Sequence, residues 1–403
     1  MKNFGSWFDE RFAWRKAWRS FALDYYVPKN LNLYYVFGSL ALLVLLNQVV
    51  TGVWLTFFYT PTAQHAFDSI QLIMRDVPYG WLLRTMHSTG ASLFFAVLYV
   101  HVFRGLLYGS YQKPRELVWF LGVVLFVLMI VETFFGYLLP WGQLSYWGAQ
   151  VITSLLGLIP YVGETFVLWI RGDYGVSGVT LHRFFTLHVI VVPLILCVFV
   201  VLHLVALRKV GSNNPDGIDI YLHLDQRGNP YDGIPFHPYY TLSDALAVLG
   251  FLMVFFSIVF FFPTFGGYFL DPTNLEPANP YITPAHINPL WYMAPFYAML
   301  RAVPYPFLGV MVMLSSVAFL FFMPCLDRSP VRSMRYKGYA SKITLCLFVV
   351  SFLVLGVLGT LDVTAPRLEM ARVSMVLYFS YFFLMPWITR YELHKDTPQR
   401  ISS

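Results

Sequence analysis

Eight stretches of about 20 residues in this chain carry almost no charged side chains. About 20 apolar residues are what an α-helix needs to cross the hydrocarbon core of a bilayer. Only 12% of the 403 residues are charged and 58% are apolar, which excludes soluble, disordered, collagen-like and disulfide-scaffold proteins. We therefore predict an all-α integral membrane protein with eight spanning helices, called spans A to H. In chain order they fall at about 32–60, 81–107, 117–138, 183–208, 244–271, 301–327, 342–362 and 372–390.

Lysine and arginine are distributed unevenly between the segments that join the spans. The N-terminal segment, the B–C, D–E and F–G loops and the C-terminal tail hold 20 of them, whereas the four alternate loops hold four. Cytoplasmic segments carry this excess in membrane proteins, so both termini are predicted to be cytoplasmic. The net charge of +6 therefore indicates orientation in the lipid bilayer, and we expect no nucleic-acid partner.

Three segments outside the spans have a distinctive composition. Residues 7–21 mix Trp and Phe with Arg and Lys at helical spacing, which predicts an amphipathic helix on the cytoplasmic membrane surface. The outer loops 140–182 and 271–300 are long, poor in charge and rich in Gly, Pro, Trp and Tyr. Long loops of this kind are candidates for binding sites.

The chain has three cysteines, at Cys197, Cys325 and Cys346. They lie far apart and form no C-x-x-C or C-x-x-C-H motif, so nothing indicates a zinc site, an iron–sulfur cluster or a covalently bound haem. We expect all three to be buried small hydrophobic residues.

Four of the ten histidines lie inside spans, as two pairs: His87 and His101 on span B, and His188 and His203 on span D. Fourteen residues advance a helix by about 21 Å and return it to within about 40° of the same face. Spans B and D run in the same direction, so one histidine of each lies near the outer surface and one near the inner surface. Two facing imidazoles at each level suit a bis-histidine haem iron, with no position left for oxygen. A zinc site would need three or four ligands at one level.

Glycines follow the same 14-residue spacing on the other two spans of this half. Gly38 and Gly52 lie on span A, and Gly122 and Gly136 on span C. Each interior glycine costs a helix about 1 kcal/mol, and a flat macrocycle against the backbone would explain them. Spans A to D are therefore predicted to form a four-helix bundle that holds two stacked, non-covalent b-type haems.

Two arginines follow the histidine pattern of span B. Arg84 and Arg104 each lie three residues from His87 or His101, where guanidinium groups would pair with haem propionates. Snorkelling of these side chains to the membrane interface is the alternative. The chain then divides into three parts: a surface segment (1–31), the di-haem bundle with its C–D loop (32–208) and a four-span region with the E–F loop (209–403).

Six local motifs, spread over nearly the whole chain, resemble those of one family. They are LLRTMHSTGAS (82–92), GYLLPWGQLSYWGAQVIT (136–153), RFFTLH (183–188), GSNNPDG (211–217), FHPYYTLSD (236–244) and PLWYMAPFYAMLRAVP (289–304). The family is the cytochrome b subunit of the quinol–cytochrome c oxidoreductase, respiratory complex III, in a bacterial form. The resemblance implies eight transmembrane helices, two b haems in the first four, and a place in the bacterial inner membrane.

The resemblance also implies a function. Quinol is oxidised at an outer site, one electron passing to a Rieske iron–sulfur protein and the other through the haems to a quinone near the inner side, with protons released outside and taken up inside. A membrane-anchored c-type cytochrome and a second copy of the complex are the further partners. The resemblance builds the outer site from Tyr137, the start of the 140–153 loop and the 289–297 motif with Trp291 and Tyr292. It builds the inner site from the N-terminal segment, the end of span D with Arg208, and Asp244.

Three positions depart from the family pattern. Leu290 stands where the family usually has a glutamate, and Arg208 where it usually has a histidine. His188 and His203 are 15 residues apart rather than 14, and a local bulge near Pro193 would absorb the extra residue. The last two features resemble the split photosynthetic relative, but no cysteine lies near span A to anchor that relative's extra haem.

Glu132 is the one acid inside the apolar run of span C, about one turn before Gly136. Acids inside membranes are expensive and usually functional, so we predict that Glu132, with Tyr137, accepts the quinol proton that Leu290 cannot. A structural hydrogen bond or a role in stabilising the haem bundle is the alternative.

At the inner side, Asp244 is predicted to deliver a proton to quinone and Arg208 to hold its carbonyl oxygen. The alternatives are a helix N-cap for Asp244 and an interfacial snorkel for Arg208.

A redox subunit is the leading interpretation of the sequence, and two other classes remain open. In a proton transporter or channel, the histidines and Glu132 would line a proton path. In a haem-binding sensor or scaffold, the haems would not be reduced by quinol. The colour of the purified chain separates the transporter from the other two classes.

Overall fold

The computed structural model describes residues 4–19 and 23–401. Within this part, eight helices are long and apolar enough to cross a membrane, which confirms the predicted spans. Most of their ends lie within about seven residues of the charge-based limits. Span E ends at Phe261 rather than at 271, because the uncharged residues that follow it belong to the E–F loop. Spans A to H are Leu33–Thr56, Gly80–Tyr108, Glu116–Leu138, Gly178–Val210, Tyr239–Phe261, Pro306–Leu326, Tyr339–Thr360 and Ala365–Tyr391.

The N-terminal segment differs from its prediction. Two short helices, Phe4–Phe12 and Trp14–Trp18, stand in place of one continuous helix over 7–21. Ala13 between them has a left-handed φ of 46°, which no α-helix continues through. Residues 20 and 21 of the predicted helix lie outside the described residues. That this segment lies on the membrane surface stays a prediction.

The first four spans share one apolar core. Span A packs along span B, and span C along span D, while span E lies against spans A and B. The segment that precedes span F is buried in the same core through Tyr292 and Phe296. The core side chains of the spans are Val44 on A, Phe94 and Phe95 on B, Phe126 and Met129 on C, and Val192 and Leu196 on D.

A second core joins the B–C region to the last three spans. The indole Nε1 of Trp119, at the start of span C, donates to the Leu320 carbonyl of span F at 2.7 Å. At the inner end, Asp327 and Lys337 form a fully buried ion pair. The Tyr111 hydroxyl donates to the same Asp327 carboxylate at 2.6 Å. This cluster fastens the F–G loop to the B–C loop.

Span D is a continuous helix made of three parts. An α-helix, Gly178–Thr186, is followed by a π-helical turn, Leu187–Val191, and a second α-helix, Val192–Val210. Pro193 falls in the first turn of the last part. A π-turn holds one more residue than an α-turn, so it absorbs the extra residue between His188 and His203. The predicted bulge is confirmed.

The loops contain short regular elements. Strand Tyr26–Pro28 pairs antiparallel with Gly233–Pro235, which ties the N-terminal segment to the D–E loop. The remaining α-helices are Ala66–Arg75 in the A–B loop, Gln143–Leu156 and Gly163–Arg171 in the C–D loop, and Ala294–Ala302 before span F. The E–F loop also contains three 3₁₀ turns, at Phe265–Gly267, Pro272–Leu275 and Trp291–Met293.

The cysteines are free and exposed, so the expectation that they are buried is wrong. They lie on the outward faces of spans D, F and G. An apolar stretch of sequence does not distinguish the face that meets lipid from the face that meets protein.

Candidate functional site

The two outer histidines face each other across the first bundle. The ring centroids of His87 and His188 are 6.2 Å apart, and the rings are nearly perpendicular at 87°. An imidazole nitrogen bonds a metal ion at about 2 Å, so two imidazoles on opposite sides of one ion have centroids about 6 Å apart. The separation of this pair therefore fits a single iron atom between the rings.

Hydrogen bonds determine which ring nitrogen of His87, the outer histidine of span B, carries the proton. The Nδ1 of His87 lies 2.9 Å from the Thr51 hydroxyl oxygen. That hydroxyl donates its own proton to the Asn47 carbonyl at 2.6 Å, so towards the ring it acts as the acceptor. Nδ1 therefore carries the proton, and Nε2 keeps the lone pair that a metal takes.

The outer ring on span D is held in the same way by a single residue. The Nδ1 of His188 lies 3.0 Å from the backbone oxygen of Glu132 and 3.0 Å from its carboxylate Oε1. Both atoms only accept hydrogen bonds, so this ring also has its proton on Nδ1 and its lone pair on Nε2.

All four glycines lie against the four histidines. The structure places an imidazole from a neighbouring span next to each of these glycines, and the haem macrocycle expected there stays a prediction. A Cβ atom at any of these positions would press on a ring, so glycine is what lets the spans approach. The distances from an added Cβ are 3.3 Å for Gly38 to His101 Cε1, 3.1 Å for Gly52 to His87 Cε1, 3.3 Å for Gly122 to His203 Cε1 and 2.8 Å for Gly136 to His188 Nδ1.

The guanidinium group of Arg104 lies beside the inner histidines. It covers the Tyr35 ring at 4.8 Å, and its Nη2 is 3.5 Å from His101 Nδ1, the long limit of a hydrogen bond. Its Nε is buried and has no hydrogen-bond partner within the part of the chain that the structure describes. A guanidinium whose buried Nε has no partner among the described residues fits an anionic group such as a haem propionate. Arg84 is half-buried at the corresponding outer position.

Hydrogen bonds between the two long outer loops close the outer end of the bundle. The Gln143 N–H donates to the Glu276 carbonyl at 2.9 Å, at the start of helix Gln143–Leu156. Two residues later the Ser145 N–H donates to the Asn274 side chain at 2.8 Å. These hydrogen bonds join the C–D loop to the E–F loop. The C–D loop starts at the end of span C, just after Gly136 and Tyr137.

The 289–297 motif is buried beneath these loops. The Tyr292 ring stacks on Phe95 with centroids 4.1 Å apart, and its carbonyl accepts a hydrogen bond from the Tyr99 hydroxyl. Burial raises the pKa of Tyr292 well above its usual value, so it stays protonated. Leu290 packs on the core that includes span C.

Two buried polar side-chain atoms, one on Trp291 and one on Glu132, stay unpaired within the described part of the chain. The indole Nε1 of Trp291 and the carboxylate Oε2 of Glu132 are both buried without a hydrogen-bond partner among the residues described. Trp291 is thus a free donor at the predicted outer site. The carboxylate of Glu132 is joined to His188 rather than to Trp291, so the structure places this acid at the histidine pair.

Of the two residues predicted for the inner quinone site, Asp244 is linked through span A to the inner histidines. The Asp244 carboxylate accepts a hydrogen bond from the Ser39 hydroxyl at 2.7 Å, and Ser39 follows the glycine that contacts His101. Asp244 is inside span E, whose N-cap is Pro238, so the N-cap alternative is wrong. The Arg208 guanidinium lies 4.0 Å over the Tyr25 ring, which joins the end of span D to the N-terminal segment.

Sequence reasoning missed a polar cluster on span A. Besides Thr51, it contains Gln48, which donates to the His87 carbonyl at 3.0 Å, and Asn47, which donates to the Met86 carbonyl at 3.2 Å. Their position in an otherwise apolar span, next to Gly52, was the available signal.

Comparison with known proteins gives matches over almost the full length. The family model described as Cytochrome b/b6/petB matches residues 22–211, and the one described as Cytochrome b(C-terminal)/b6/petD matches residues 277–379. Cytochrome b of Allochromatium vinosum is 53% identical over 99% of this chain and 98% of that protein. Cytochrome b of Rhodospirillum rubrum is 46% identical over 98% and 95%. A chain in the solved structure of a hyperthermophilic respiratory complex III superposes with a TM-score of 0.90, at 40% identity, over 96% of this chain and 99% of that one.

Proposed function

This chain belongs to the cytochrome b family and is the membrane-spanning electron-transfer subunit of a respiratory complex III, and from that premise we propose that it oxidises quinol at an outer site and reduces quinone at an inner site. The observation that carries the proposal is the outer histidine pair. Its rings are 6.2 Å apart, and each has a hydrogen-bond acceptor at Nδ1 that leaves Nε2 for iron.

Four histidines would hold two b-type haems, His87 with His188 at the outer level and His101 with His203 at the inner level. A haem iron with two imidazole ligands supplies one-electron transfer and leaves no position for oxygen. The four glycines give the rings room, and Arg104, with its unpaired Nε, would hold a propionate. Arg84 takes the same part at the outer level.

The outer quinol site is proposed between the joined C–D and E–F loops and the 289–297 motif. Trp291 offers a buried indole donor, and Tyr137 and Tyr292 are the tyrosines proposed to line the site. Leucine at position 290 has no group that takes a proton. That Glu132 takes the proton in its place stays a prediction, and its contact with His188 supports the alternative role at the haem bundle.

The inner quinone site is proposed around Asp244 and Arg208. The Asp244 carboxylate is held by Ser39 within one residue of the glycine beside His101, where it can hold or release a proton. Arg208, on the Tyr25 ring, presents a fixed positive charge to a carbonyl oxygen.

The further partners follow from the family. We propose a Rieske iron–sulfur protein, a membrane-anchored c-type cytochrome and a second copy of the complex. We place the protein in the bacterial inner membrane with both termini cytoplasmic, which the lysine and arginine distribution supports. Taking protons from one side and releasing them on the other makes the reaction contribute to proton translocation.

Haem content and quinol-linked reduction test the proposal. The purified complex should give a b-type pyridine haemochrome spectrum with two haems per chain. Added quinol should reduce these haems, and an inhibitor of the outer site should change the course of the reduction. A colourless folded protein would show that the proposal is wrong and favour a histidine-lined proton transporter. Haems that quinol never reduces would indicate a sensor or scaffold.

A further inference from the structure

Glu132 is joined to the outer haem ligand of span D through both its backbone and its side chain. The carboxylate Oε1 and the backbone oxygen are each 3.0 Å from His188 Nδ1. The Glu132 side chain is only 14% exposed and that of His188 18%. A carboxylate buried in a membrane span is costly unless it has a specific partner, and here the partner is a ligand imidazole.

The corresponding position at the inner level carries no charge. Glu132 precedes Gly136 by four residues, and Val118 precedes Gly122 by four residues on the same span. Both glycines lie against a span D histidine, so Glu132 and Val118 occupy equivalent places at the two levels. Among the described residues, the hydrogen bond of His188 to Glu132 is the only contact between a carboxylate and one of the four histidines. Within the part of the chain that the structure describes, the outer histidine of span D therefore has a side-chain carboxylate at its Nδ1, whereas the inner histidine of span D has none.

We propose that Glu132 is a positioning residue for the outer haem: its carboxylate accepts the Nδ1 proton of His188, holds Nε2 towards the iron and favours the ferric over the ferrous state. This inference rests on the proposed function, because it assumes a haem between His87 and His188. A carboxylate that accepts from a ligand imidazole makes the ligand more basic. Hydrogen bonding to the ligand is one of the means by which a protein sets a haem potential. The effect directs electrons from the outer haem to the inner one.

The test is a redox titration of both haems in the purified complex, with chemical mediators and no quinol. Glu132→Gln keeps the size and an acceptor oxygen but removes the charge. We expect reduction of the outer haem to become at least tenfold more favourable, equal to about 59 mV for a one-electron couple. The inner haem should keep its potential. Thr133→Val is the matched control, because among the described residues the Thr133 hydroxyl bonds only to the Met129 carbonyl of its own helix, at 2.7 Å.

Glu132→Ala removes the acceptor as well as the charge, and in this variant we expect selective loss of the outer haem or a change in its electron paramagnetic resonance signal. An outer-haem potential that is unchanged in both variants would overturn the inference. Loss of both haems together would also overturn it, because it would mean that Glu132 supports the bundle as a whole. Haem-free wild-type protein would instead refute the proposed function, so the two failures are distinguishable.

Discussion

The Nδ1 atom of His87 lies 2.9 Å from the hydroxyl oxygen of Thr51, a buried residue of span A. Replacing Thr51 by valine keeps the shape and removes the acceptor, which leaves a buried N–H without a partner. Loss of the hydrogen-bond partner of a ligating histidine typically lowers the affinity of the site for its metal about 10–100-fold. We expect faster loss of the outer haem on dilution in detergent, measured by redox difference spectra.

Thr56→Val is the control for this variant. Thr56 is at the exposed end of span A, and its hydroxyl bonds to the Val53 carbonyl of its own helix at 2.7 Å. Equal haem retention in Thr51→Val, Thr56→Val and the wild type would show that the Thr51 contact does not support the ligand.

A methyl group at Gly52 should disturb the outer haem alone. An added Cβ atom would lie 3.1 Å from His87 Cε1, tighter than an ordinary contact, so the ring must move. We expect Gly52→Ala to shift the paramagnetic resonance signal of the outer haem or to lower its content, with the inner haem intact. Gly250→Ala on span E is the control, since a Cβ there meets nothing within 4 Å. Identical spectra for the two variants would contradict the packing argument.

Single-residue deletions in span D test the π-turn. Ile190 lies inside the turn Leu187–Val191, so its deletion should convert the turn to α-helix and leave His203 in place. Val201 lies in the following α-helix, where a deletion rotates everything beyond it by about 100°. We expect the first deletion to keep both haems and the second to lose the inner haem, measured by haem content. The opposite result would mean that the turn does not set the register.

The buried ion pair between Asp327 and Lys337 should be a main support of the inner face. Asp327→Asn leaves the Lys337 ammonium buried without its counter-charge, a change that typically costs about 3–5 kcal/mol. The control is Glu369→Gln, which breaks an exposed pair with Arg372 and should cost about 0–1 kcal/mol. Thermal unfolding in detergent measures both. Equal melting temperatures for Asp327→Asn and Glu369→Gln would show that the buried pair stabilises the fold no more than the exposed pair does.

The same pair predicts a pH dependence. Burial lowers the pKa of Lys337 below its ordinary value of 10.5, although Asp327 acts to raise it. Between the folded and unfolded pKa values the folded chain binds fewer protons, so the contribution of this group to stability grows as the pH rises towards 10.5. Without Asp327 the pKa of Lys337 should fall further, so in Asp327→Asn this pH-dependent range should begin at a lower pH, as measured by thermal unfolding at several pH values.

Features that depend only on position along a helix could be predicted from the sequence. The eight spans follow from the exclusion of charge from hydrocarbon, and the levels of the histidines follow from the rise of a helix. The bulge in span D followed from one surplus residue next to Pro193. Each of these depends on position along a span and not on its rotation.

The hydrogen bonds that hold the histidine rings depend on the rotation of each span and were not predicted. Thr51 meets His87, and Glu132 meets His188, only because each helix turns that face to its neighbour. The burial of the three cysteines was predicted wrongly for the same reason. At the N-terminus, the amphipathic pattern of the sequence continues across Ala13, but the helix is interrupted there.

The π-turn of span D has a consequence for the face beyond it. An inserted residue in a regular helix would reassign every later side chain to a new direction. Here the stripe of exposed side chains beyond the turn runs on at regular three- and four-residue steps, through Leu194, Val198, Val201 and Val205. The outward face of span D therefore stays regular along the whole α-helix that carries His203. A genome search that requires a fixed interval between the two histidines would pass over proteins of this kind, whereas one that permits a single surplus residue near a proline would retrieve them.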